Sequence, residues 1–161
     1  KFEKDGVPFY DLILMDSHTE RDEYTEEEGE YGYLKESQIT WYEEKVSNST
    51  VDNLVFMHIP LRQFIDSEGY VGIFNEDKVY AQGIDTGFFE ACVDLGRTKG
   101  VFVGHDHLND FYLVQEDIIL AYGRITGYSA YGNLERGGRV IEVLDNQDIV
   151  LSVLLESEVS Q

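Results

Sequence analysis

The order of apolar runs predicts a layered α/β unit: strand, helix, strand, helix, then four or five strands in succession. Three observations carry this. Short β-compatible apolar runs stop abruptly at polar or proline-bearing segments. Two stretches place apolar side chains at helical spacing, and the C-terminal third alternates Val/Ile/Leu-rich runs with turn residues. At 161 residues the chain is long enough to close one hydrophobic core.

Residues 9–15 read as a buried strand ending near Asp16. From Asp16 to Glu30 the chain is polar, and Glu26, Glu27 and Glu28 have no basic neighbours, so this reads as a solvated acidic loop, or else as a rim that repels anions or collects stray cations. Ile39, Tyr42 and Val46 share one helical face, with Ser37 as the expected N-cap and Ser47-Asn48-Ser49 as the stop. Residues 53–57 form a second buried strand, stopped by Pro60. Residues 61–85 show weak periodicity broken by Gly69, Gly72 and Gly83. They read as a long surface excursion with one short helix, and loops of that length are commonly functional. Thr86 is the expected cap of a helix carrying Phe88, Phe89, Cys92, Val93 and Leu95, and Gly96 sits where a left-handed C-terminal cap belongs. Strands follow at 101–103, 111–115, 117–122, 139–144 and 149–155, with Asn146 and Gln147 turning the last hairpin. There is no internal repeat and no low-complexity linker.

Composition narrows the function. Thirty-two acidic against 12 basic side chains give a net charge of −20, which opposes binding to DNA, RNA or anionic lipid. The 42% hydrophobic and 13% aromatic content exclude a disordered acidic tail. No apolar run approaches the ~20 residues that span a bilayer. The lone Cys92 makes no intrachain disulfide and no cysteine-based zinc site; with no basic neighbour it reads as core rather than nucleophile. Neither a Gly-x-Ser-x-Gly elbow nor a P-loop occurs. The chain begins Lys1-Phe2-Glu3-Lys4 and enters a strand almost at once, as expected of a cut inside a longer protein. Its compartment stays open between cytoplasmic and secreted.

Three of the four histidines stand at apolar strand ends: His58, His105 and His107. In an extended segment residues i and i+2 project to one side, roughly 7 Å apart at ~3.3 Å per residue. His105 and His107 could then grip two neighbouring metal ions, which lie about 3.5–4 Å apart in dinuclear hydrolases. Gly104 would let the backbone approach a ligand, Asp106 would point away or serve the outer shell, and Asn109 and Asp110 would orient the rings. A bare His-x-His also fits two surface histidines on a turn, and His58 alone fits a satisfied core residue. The shared strand-end setting favours a site. His18 beside the acidic loop, and Trp41, Tyr122, Tyr128 and Tyr131, read as structural or packing groups.

The ordered segments Leu14-Met15-Asp16-Ser17, Gln38 with Trp41, Met57-His58-Ile59-Pro60 and Gly104-His105-Asp106-His107 with Asn109-Asp110 resemble those of a known family. So do Tyr122-Gly123-Arg124, Thr126-Gly127-Tyr128 and Tyr131-Gly132. Over roughly residues 10–145 the chain is similar to the calcineurin-like metallophosphoesterases, in their purple acid phosphatase-like branch. The resemblance implies a β-sandwich flanked by helices in four layers, and a two-metal hydrolase of phosphate esters using metal-activated hydroxide. His58 and His105 would hold one ion and His107 the other, the ions being iron, zinc or manganese. The family's Asp-x-His, Gly-Asp-x-x-Asp and Gly-Asn-His-Asp/Glu segments have no counterpart here. Residues 1–161 are therefore expected to be the C-terminal half of the catalytic domain, inactive alone. Such a fragment should associate with itself or with the missing N-terminal half. The competing expectation is a non-catalytic binding or scaffold domain that meets a partner through the acidic loop or the 61–85 excursion.

Overall fold

A computed structural model describes residues 1–159. The elements in chain order are β1 (Phe2–Lys4), β2 (Val7–Leu14), α1 (Glu36–Ser47), β3 (Asn53–Phe56), β4 (Val71–Phe74), α2 (Phe88–Leu95), β5 (Thr98–Val103), β6 (Asn109–Gln115), β7 (Ile118–Tyr122), β8 (Gly137–Val143), β9 (Ile149–Leu155) and α3 (Glu156–Val159). A seven-stranded sheet runs β1-β2-β3-β5-β7-β6-β4, and β8–β9 is a separate hairpin. Strands β2, β3, β5 and β7 are parallel, which brings their carboxyl ends to one edge. β1, β6 and β4 complete the sheet antiparallel.

The strand alternation sorts side chains to two faces. On one face Ile13, Val55, Val101, Leu120 and Tyr122 pack under the helices, against Ile39, Tyr42, Val46, Phe88 and Cys92. On the other, Tyr10, Leu54, Phe102 and Ala121 meet Ile141, Val143, Ile149 and Leu151 of the β8–β9 hairpin. The result is an α/β layering of helices, large sheet and small second sheet. That second sheet leaves apolar surface open, with Leu14 77% and Leu12 47% exposed. Cys92 is buried as expected, and burial pushes its thiol up to about 11.

Several expectations need correcting. Helix α1 is capped at Lys35, not Ser37: the Lys35 N–H donates to Gln38 Oε1 (2.8 Å) while the Gln38 N–H donates back to the Lys35 carbonyl (2.9 Å). Helix α2 is capped by Gly87 at φ 84°, and the Thr86 hydroxyl donates instead to the Leu34 carbonyl at 2.8 Å. Gly96 does take the left-handed C-cap, at φ 65°. Segment 61–85 has the one short helix expected, a 3-10 turn at Arg62–Phe64, and a largely exposed middle, but it is not only a surface excursion. It buries Leu61, Phe64, Val79 and Gln82, and it contributes edge strand β4, paired with β6. There Gly72, at φ 124°, lies against the Asp110 carbonyl, where any Cβ would collide. Tyr122 is core, but Trp41, Tyr128 and Tyr131 are exposed. No helix among the described residues is long and apolar enough to cross a membrane.

Candidate metal centre

The sheet's parallel strands deliver the histidines. Beyond β3, Met57 continues the ladder through its N–H to the Phe102 carbonyl (3.0 Å), and the His58 carbonyl then accepts the Gly104 N–H (3.0 Å). Gly104 packs against His58: a Cβ there would stand 3.3 Å from His58 Nδ1 and push the ring aside by a few tenths of an ångström. The Ser17 hydroxyl accepts the Ile59 N–H (2.9 Å), and Gln38 Nε2 donates to the Asp16 carbonyl (2.8 Å). The end of β2, the start of α1 and the end of β3 are thereby locked together around His58.

His105 takes φ 76°, a left-handed conformation uncommon for a residue with a Cβ. The bend ends the extended geometry that would have set His105 and His107 side by side, and each ring finds its own neighbour. His105 Nδ1 lies 3.3 Å from His58 Nε2, with the rings edge-to-face at 5.1 Å. Tyr31, at the end of the acidic loop, meets His105 edge-on at 4.4 Å. His107 lies at 4.2 Å from the ring of Tyr131, and its Nδ1 is buried with no hydrogen-bond partner.

Burial, and then the neighbouring imidazoles, hold His105 at about 4, and burial followed by His107 also lowers His58. Both therefore stay neutral at physiological pH, with a ring lone pair available. Asp106, between His105 and His107 in the chain, is buried. Its Oδ2 accepts the Tyr122 hydroxyl (2.6 Å), the Tyr80 N–H (3.2 Å) and Asn109 Nδ2 (3.4 Å), while Oδ1 is buried without a partner. Burial pushes its carboxyl up to about 6, against the pull of the Tyr122 hydrogen bond.

Asn109 and Asp110 do not orient a histidine ring. Asn109 Oδ1 accepts the N–H groups of Asn75 and Glu76 (3.2 Å each), pinning the turn after β4. Asp110 pairs with Arg124 at 2.8 Å and with Arg139, all three side chains being nearly inaccessible. The reason is register: these residues open β6, where pairing with β4 sends their side chains to opposite faces of the sheet. His18 stands apart, its Nε2 2.9 Å from Gln38 Oε1.

Imidazole donors suit iron or zinc, and the orphaned His107 nitrogen is the kind of group a metal satisfies. Among the described residues, however, no group of three or more His, Cys, Asp or Glu side chains is arranged to hold an ion. The trio fits as part of a donor set that further ligands must complete. Tyr31, Glu76 and Tyr131 were not foreseen at the site. The sequence signal for Tyr131 is the family-like pair Tyr131-Gly132, and Gly132, at φ 97°, lies against Leu108 beside His107.

No protein-family model matches the chain. Curated relatives do. It is 34% identical over 152 residues to "Probable inactive purple acid phosphatase 14" of Arabidopsis thaliana, covering 81% of this chain and 37% of that protein. It is 32% identical over 144 residues to "Probable inactive purple acid phosphatase 28" of the same plant, covering 83% of this chain and 36% of that one. The chain belongs to the calcineurin-like metallophosphoesterase family. It spans little more than a third of the length of these relatives. The crystal structure of a dimetal phosphatase from Danio rerio shares the metallophosphoesterase fold at a TM-score of 0.52 and 14% identity, over 78% of this chain and 37% of that one.

Proposed function

We propose that this chain is the C-terminal half of a dinuclear metal-dependent phosphoesterase domain, supplying His58 and His105 to one metal ion and His107 to the other. The observation that carries the reading is three imidazoles at neighbouring parallel strand ends, two held neutral and one with an unsatisfied buried nitrogen. The remaining ligands would come from the upstream half. A cleft of 230 Å³ lined by the three histidines, Gly104, Gly123 and Arg124 is large enough for a phosphoryl group. When bound, iron, zinc or manganese would activate the attacking water and neutralise charge on the phosphoryl oxygens. The chain's own contribution is to hold three imidazoles in place, with His58 and His105 kept neutral by burial. At a net charge of −20, phosphate affinity has to come from the metal cations rather than the surface.

The test is hydrolysis of 4-nitrophenyl phosphate by the full-length parent with added iron, zinc or manganese. Turnover supports the reading, and a metal-loaded but inert parent overturns its catalytic part. A second reading, a binding or scaffold domain, is favoured by the words "probable inactive" in the names of both plant relatives. It would use the acidic loop or the 61–85 segment.

The same reading makes a claim about association. Beyond Tyr10 the outer edge of β2 pairs with no strand among the described residues, and Leu12 and Leu14 lie exposed along it. The isolated chain is expected to self-associate, or to bind the upstream half, through such surfaces. Light scattering on the isolated chain checks this, and a monodisperse monomer would count against it.

A further inference from the structure

We propose that Tyr131 and Glu76 form a clamp that positions His107, a role resting on the reading of His107 as a metal ligand. His107 differs from the other two histidines in what holds it. His58 and His105 brace each other, whereas the ring of His107 has Tyr131 as its aromatic neighbour, at 4.2 Å and an interplanar angle of 37°.

Tyr131 is 54% exposed, so burial in a core does not fix its ring. Its hydroxyl does. It donates to Glu76 Oε1 at 2.6 Å and accepts the His107 N–H at 3.4 Å. The same Glu76 oxygen accepts the Leu108 N–H at 3.2 Å. Glu76 is itself anchored, because its N–H donates to Asn109 Oδ1. On the other side, Gly132 leaves no room for a Cβ beside Leu108. The turn after β4, the loop before β8 and the start of β6 thus converge on one imidazole. Removing such outer partners of a metal ligand generally costs 10–100-fold in metal affinity. Tyr131 and Glu76 are positioning residues: they act through His107.

The test uses the full-length parent with 13C-labelled histidine, stripped of metal with EDTA. The His107 signals are identified by their loss in His107→Gln. Ring-current displacement of the His107 ring protons is expected in the wild type, is expected to persist in Tyr131→Phe, and should vanish in Tyr131→Leu. Zn2+ titration is then expected to show affinity about 10–100-fold weaker for Tyr131→Leu. Tyr131→Phe, which keeps the ring and loses the hydroxyl's bonds to Glu76 and from the His107 N–H, should fall between, and Glu76→Ala should also weaken binding. Unmoved His107 signals in Tyr131→Leu, or equal Zn2+ affinity with and without Tyr131, would overturn the clamp. A wild-type parent that binds no Zn2+ instead overturns the metal reading, while the histidine signals still decide the clamp.

Discussion

In the full-length parent, His105→Ala and His107→Ala are each expected to cut hydrolysis of an aryl phosphate by about a thousandfold or more. A metal clamp contributes several kcal/mol of transition-state charge stabilisation, and roughly 4 kcal/mol corresponds to about three powers of ten in rate. Both histidines sit outside the packed core, on loops beyond β5, so neither substitution opens a cavity among the core side chains. The loss should therefore fall on activity and metal content, with the thermal unfolding midpoint little changed. His107→Ala also leaves Tyr131 facing empty space rather than an imidazole. Full activity in either variant would remove the metal assignment for that residue.

Asp110→Asn is expected to produce the largest loss of stability, about 3–5 kcal/mol. Asp110 pairs with both Arg124 and Arg139, and the side chains of the triad are 4%, 6% and 8% exposed. An asparagine keeps the shape and an acceptor oxygen but leaves two nearly inaccessible guanidinium groups without the carboxylate they share. The triad also joins layers. Asp110 opens β6, Arg124 follows β7 and reaches the Glu135 carbonyl at 2.7 Å, and Arg139 lies on β8 and donates to the Tyr122 carbonyl at 3.0 Å. Its loss should loosen the β8–β9 hairpin from the large sheet. Urea unfolding of the parent should show a lower midpoint with little change in slope. Adding Arg139→Met to Asp110→Asn should recover part of the loss, because one buried charge is removed. A midpoint within experimental error of the wild type would contradict this account of the triad.

What could be read in the residues, and what could not, follows from how each feature is specified. Strands β3, β5 and β7 are short apolar runs with covered faces, so hydrophobicity alone marks them, and their ends mark His58, His105 and His107. Strand β4 is four residues long and contains Gly72; its structure is supplied by pairing with β6, a partner distant in sequence. The two N-caps differ for a similar reason. Ser37 and Thr86 have the right chemistry for a cap, but Gln38 and Gly87 did the work, and Thr86 was drawn to the Leu34 carbonyl. Asn109 and Asp110 bond to the turn after β4 and to two arginines rather than to a histidine ring, since strand register decides where a side chain points. Tyr31, Glu76 and Tyr131 reach the histidines from segments without periodicity, so no local pattern announces them.

The central claim, that His58, His105 and His107 complete a metal pair with ligands from an upstream half, is tested most directly by metal content. The full-length parent, loaded and dialysed, should retain two metal ions per chain by inductively coupled plasma mass spectrometry. The combined His58→Ala, His105→Ala, His107→Ala variant, folded by circular dichroism, should retain fewer than one. Two ions retained in that triple variant, or none in the wild type, would contradict the account.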